Sequence, residues 1–169
     1  MLFLKNSLAF FLLPLLICCS CSSPNEKELI SPAIPDTAVL IGQMSRYDSI
    51  SNLYLKSNDI DFLKPAGDVA DSVLSYPFEL INSSLQEKYL ALLLYRATDL
   101  NDLKDFIKSR DLYERYIFLY QQKKLLKPSY LAYAQTYLGN IYSRYGDYVK
   151  ASSLLRQGKE YYMTEKSQD

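Results

Sequence analysis

Apolar residues recur at steps of three and four along most of this chain, and strand-type alternation is scarce, so the pattern predicts helices. The first runs from a cap at Asp36 to about Lys56 and gathers Leu40, Met44, Tyr47, Ile50 and Tyr54 on one face. The turn-like stretch "SNDID" follows. A shorter helix is predicted from Pro65 to Leu74, with the proline in a first turn where its missing N–H is not needed, and Tyr76-Pro77 ends it. Ser84, with Glu87 three residues on, forms a capping box that opens "LQEKYLALLLYRA". That segment is apolar nearly all round and is expected to be the most buried helix.

Another helix is predicted from about Asp102 to Leu126, with Phe106, Tyr113, Ile117 and Tyr120 as its stripe; Arg110 interrupts the stripe and is expected to reach out past its apolar stem. Pro128 closes it. The basic cluster "KKLLK", Lys123 to Lys127, falls at this C-terminus, where the helix dipole favours cations, so it reads as a solvated cap rather than a binding patch. Between residues 130 and 163 two further helices are expected, joined by a tight turn. Gly146 supplies its left-handed residue and Asp147 caps the helix that follows.

The N-terminal stretch has a different pattern: one cation, Lys5, then an apolar run from Leu8 to Ile17 broken only by Pro14, then small polar residues. This is the layout of a secretory signal, and the run is shorter than the ~20 apolar residues a spanning helix needs. All the cysteines of the chain, Cys18, Cys19 and Cys21, stand at its end. The folded region therefore has no thiol for a disulfide framework or a thiolate metal site. The junction resembles the lipobox of bacterial lipoproteins, in which a small residue precedes a cysteine that is lipidated and becomes the mature N-terminus. Cys21 follows the small Ser20 but has Cys18 where leucine is usual; Cys19 has Leu16 in the leucine position but Cys18 where a small residue is usual. The resemblance implies lipidation at Cys21, with Cys19 as the alternative. It divides the chain into a signal peptide at residues 1–20, a polar, proline-rich tether at 21–35 and a folded domain at 36–169, a length that supports one core.

Nineteen acidic residues balance nineteen basic ones, which leaves no positive excess to hold a nucleic-acid backbone. There is no histidine, so histidine-based acid–base pairs and triads are excluded. Neither Ser-x-x-Lys, nor Gly-x-Ser-x-Gly, nor a phosphate-cradling glycine loop occurs. Asp59 and Asp61 of "NDID" lack the remaining ligands of a calcium loop and read as a turn. A pair of carboxylates is the one acid–base device that spacing leaves open. The expectation is a protein without metal or cofactor that is not an enzyme.

The C-terminal hairpin resembles a tetratricopeptide repeat (TPR), a helix-turn-helix unit with a leucine-glycine pair, a tyrosine, and an alanine followed by a bulky apolar residue. Leu138-Gly139, Tyr142, Ala151 and Leu155 occupy those places, and Gly146, Asp147 and Tyr148 match the turn. Gln135 departs from the usual aromatic and Met163 from a frequent proline. Lipoproteins of the Bacteroidetes with degenerate TPR-like helices ahead of better-formed repeats have a similar arrangement. The expected fold is all-α, with antiparallel helical hairpins stacked as a short TPR-like array after the signal segment, and residues 130–163 as its best hairpin. Tyrosine is abundant, sixteen in the chain and eleven of them from Tyr113 to Tyr162. It suits both a helical core with hydroxyls at the wet edge and a recognition surface.

In the TPR family the first helix of each hairpin lines a concave peptide-binding face. Carried onto this chain, that face comprises Tyr133, Thr136, Tyr137, Asn140, Ser143 and Arg144, with Asn140 suited to a backbone amide and Arg144 to a carboxylate. The function implied is that of a lipid-anchored protein of the bacterial cell envelope, at the outer membrane, which binds an envelope protein or peptide. The alternative is a small-ligand receptor or accessory subunit for nutrient uptake.

Overall fold

The computed structural model describes residues 34–165, and among them lie six α-helices and no strand. They are α1 (Thr37–Ser57), α2 (Leu63–Leu74), α3 (Ser83–Asp102), α4 (Phe106–Lys123), α5 (Pro128–Arg144) and α6 (Tyr148–Glu165). The signal segment, the cysteine cluster and the tether as far as residue 33 lie outside the described residues. The closest pairs are α1 with α2, α3 with α4, and α5 with α6; α2 also meets α3, α4 meets α5, and α1 touches α3. The described residues thus form three consecutive helical hairpins.

Local chemistry explains most of the boundaries. The Asp36 carboxylate accepts the Ala38 N–H at 2.8 Å and opens α1, which buries Leu40, Met44 and Tyr47 as the stripe predicts. Four expectations need correction. Helix α3 is capped by Asn82, whose side chain accepts both the N–H and the hydroxyl of Ser84 at 3.0 Å, so Asn82 replaces the expected Ser84–Glu87 box. The same helix runs past Ala97 to Asp102, which was expected to open the next one. It ends where Lys104 turns left-handed at φ 65° and Asp105 N–H reaches back to the Leu100 carbonyl at 2.9 Å, a closure usually left to glycine. Asp105 then caps α4 through the Lys108 N–H. At its other end α4 stops at Lys123 rather than Leu126, because Lys124 is left-handed too. Helix α2 begins at Leu63, ahead of Pro65, because a short 3-10 turn at Ile60–Phe62 leads into it. Asp59 caps that turn by accepting the Asp61 N–H.

Helix α3 is the most buried, with Tyr89, Leu90, Leu93 and Ala97 sealed from solvent. Tyrosines fill much of the core, and Tyr47, Tyr89, Tyr113 and Tyr116 are all fully buried. Burial of a phenol is tolerable where its hydroxyl finds a partner. Tyr89 donates to the Tyr76 carbonyl at 2.9 Å, and Tyr113 shares a hydrogen bond with Thr98 at 3.0 Å.

The last hairpin is the tightest. A methyl group built on Gly139 would stand 2.8 Å from Leu155 Cγ and 3.2 Å from the Ala151 carbonyl, so the two helices cross there with no room for a side chain. A second close approach, not anticipated from the sequence, lies at Gly158, where the same methyl would meet the Ala132 carbonyl at 2.9 Å. Gly146 turns the chain with φ 79°, and the Asp147 carboxylate accepts the Lys150 N–H at 3.2 Å. Gln135, in the place of the family's aromatic residue, is buried and donates to Gln157 on α6 at 2.7 Å. Among the described residues no helix is long and apolar enough to cross a membrane.

Candidate functional site

The first helices of the three hairpins, α1, α3 and α5, line a common groove of about 740 Å³, to which α6 adds Tyr162. Helix α1 contributes Tyr47, Asp48, Ser51, Asn52, Tyr54 and Leu55, and helix α3 contributes Leu94, Tyr95, Thr98, Asp99 and Asp102. Both sets follow helical spacing, so each is one continuous face. Helix α5 adds Ser129, Tyr130 and Tyr133. The lining therefore holds six tyrosines and three aspartates, and neither lysine nor arginine.

Asp99 is the most buried of the three aspartates, with 8% of its surface exposed, and accepts the Tyr47 hydroxyl at 2.9 Å. One turn along, Asp102 accepts the Tyr54 hydroxyl at 3.3 Å. Burial, which disfavours the charged carboxylate, lifts the Asp99 pKa; the Tyr47 hydrogen bond and the Arg96 charge pull it down, the Asp102 charge raises it, and it settles at about 6. Arg96 forms no ion pair with Asp99. Its guanidinium is held bidentately by Asp71 at 2.9 and 2.8 Å and lies against Gly67 of α2. The phenols of Tyr47, Tyr54, Tyr95 and Tyr133 are pushed above their ordinary range, in each case chiefly by burial. All four are neutral hydrogen-bond donors at physiological pH.

Of the six residues assigned to a binding face from the sequence, Tyr133 lines this groove. Its ring rests on Tyr137 at 4.4 Å between centroids, and Tyr137 in turn stacks on Tyr113 of α4. Thr136 turns to the opposite side, donating to the Ala132 carbonyl and standing against Gly158 of α6. Asn140 is exposed and Ser143 half-buried. Arg144 lies over the ring of Phe106 at the start of α4, 4.9 Å from its centroid. Four of the six thus divide between the groove (Tyr133), the α4 side (Tyr137 and Arg144) and the α6 side (Thr136) of one helix.

The groove residues of α1 and α3 were not anticipated. A signal for them exists in the sequence: Asp99 and Asp102 continue the register of a helix that is otherwise apolar, and a carboxylate on such a face needs a reason. Asp59 and Asp61 stay in their turn, and among the described residues no cluster of three or more potential metal ligands forms. No family model, curated protein or solved structure matches the chain.

Proposed function

We propose that this protein is a lipid-anchored component of the bacterial cell envelope, at the outer membrane, that holds a partner protein or peptide in a TPR-like groove. The observation that carries the reading is the shared lining of one groove by the first helix of each of three consecutive hairpins. The close crossing at Gly139 and the left-handed turn at Gly146 agree with the TPR reading of the last hairpin. Tyrosine suits an interface because a large amphipathic ring is ordered at little rotamer cost. Confinement by a lipid at Cys21 makes the function positional, since an anchored groove meets its partner at a raised effective concentration.

The mixture of aromatic rings with Asp, Asn and Ser also suits a carbohydrate, which keeps a small-ligand uptake receptor as the second reading. One preparation separates the possibilities. The full chain, extracted from membranes in detergent, should co-purify with a defined envelope protein, and Cys21→Ser should release it into the aqueous phase while Cys18→Ser does not. A water-soluble parent protein contradicts the anchor. Oligosaccharide binding without any protein partner contradicts the scaffold and favours the receptor.

A further inference from the structure

Some of the described aspartates outside the groove are paired with a cation, and those that are not, Asp36, Asp59, Asp61 and Asp68, are exposed, whereas Asp99 is buried and unpaired. Asp71 is paired with Arg96 at 2.8 Å, Asp105 with Lys108 at 3.3 Å, and Asp147 with Lys150 at 3.5 Å. Among the described residues, Asp48, Asp99 and Asp102 form no ion pair. A carboxylate offers about four acceptor positions, and the protein hydrogen bonds described for Asp99 and Asp102 are one tyrosine donor each. Asp99 keeps its carboxylate in a buried place that disfavours charge, and the one nearby arginine is turned away to α2. Around these acids stand tyrosine rings whose negative faces attract a cation and whose edges accept an apolar stem.

We propose that the groove takes a lysine or arginine side chain of a partner polypeptide, its head on Asp102 and Asp99 and its stem along Leu55, Leu94 and the tyrosine rings. This rests on the groove being the binding surface. A polypeptide rather than a free amine fits the rest of the lining. Ser51, Asn52 and Ser129 carry paired donor and acceptor capacity, which suits main-chain N–H and C=O groups and which a polyamine, having no acceptors, leaves unused. The charge complementarity is one-sided: the protein supplies the anions and the occupant supplies the cation.

Titration calorimetry on the full chain in detergent tests this with the blocked peptide acetyl-Gly-Lys-Gly-Arg-Gly-amide, its glutamate counterpart and spermidine as probes. The basic peptide should bind and the acidic one should not. Asp102→Asn should weaken the basic peptide about ten-fold or more, the loss expected for a charged hydrogen bond. Asp68→Asn, on an exposed residue of α2 outside the groove, should leave affinity unchanged. Equal weakening by Asp68→Asn would reduce the effect to net charge and overturn the proposal, as would equal affinity for the acidic peptide. Spermidine binding as tightly as the peptide would assign the groove to a small amine and also overturn it. If no basic peptide binds at millimolar concentration, the cation is wrong. If an envelope partner is then still lost on Tyr95→Ala, the groove remains a binding surface; if that variant also keeps its partner, both readings fail together.

Discussion

Gly158→Leu should cost the fold on the order of 3 kcal/mol or more, because even its Cβ would stand 2.9 Å from the Ala132 carbonyl where α6 crosses α5. The smaller substitution decides the sign of two opposing effects. Alanine is favoured over glycine in a helix interior by ~1 kcal/mol, partly through the unfolded chain. At Gly42 a methyl group meets nothing within 4 Å, so Gly42→Ala should stabilise by about that amount. At Gly158 the same methyl lies 2.9 Å from the Ala132 carbonyl, a backbone atom that moves only if α5 moves. The steric cost wins there, and Gly158→Ala should destabilise by ~1–2 kcal/mol. Thermal melts read both changes directly, at roughly 3–6 °C per kcal/mol for a domain of this size. Stabilisation by both alanines would mean that α6 does not seat on α5 at this position.

Asp99→Asn should do two opposite things: strengthen the fold and weaken binding. The folded pKa of about 6 stands above the ordinary carboxylate value, so the folded protein holds the Asp99 proton more tightly than the unfolded chain does. A raised acid of this kind favours folding below about pH 4, and that contribution is lost as pH rises through about 6, reaching ~2–3 kcal/mol once the group is fully charged. Asparagine keeps an oxygen for the Tyr47 hydroxyl and carries no charge. Asp99→Asn should therefore be more stable than the parent at pH 8 by roughly 1–3 kcal/mol, and the difference should vanish near pH 4. Partner affinity at pH 8 should fall at least ten-fold, in keeping with the stability that binding sites commonly forgo. Denaturant curves at the two pH values give the first result and titration calorimetry the second. A variant less stable than the parent at pH 8 would show that Asp99 is structural.

Much of the scaffold was legible, because the features that define it are short-range. The Asp36 cap, the stripe of Leu40, Met44 and Tyr47, the Gly146-Asp147 turn and the Gly139 crossing each rest on spacings within a few residues. The ends of α3 and α4 were not legible, since Lys104 and Lys124 take left-handed conformations that sequence reading reserves for glycine or asparagine. That misreading hid the three groove residues of α3 beyond Ala97, namely Thr98, Asp99 and Asp102. Ending α3 at Ala97 left Asp99 and Asp102 off the helix, whereas the observed helix carries them to the same face as Leu94 and Tyr95. Tyr47 illustrates a second limit. Its helical position marked it as core, which it is, yet its hydroxyl reaches the groove and holds Asp99. A helical stripe shows which side of a residue is buried, but not what its far end touches.

Photo-crosslinking from opposite faces tests most directly whether the groove of α1, α3 and α5 holds the partner. A benzophenone amino acid in place of Tyr95, which lines the groove, should form adducts with one envelope protein; the same group in place of Phe118, 60% exposed on α4 and outside the groove lining, should form none with it. Adducts from position 118 with position 95 silent would place the partner on α4 and contradict the groove as the site of binding.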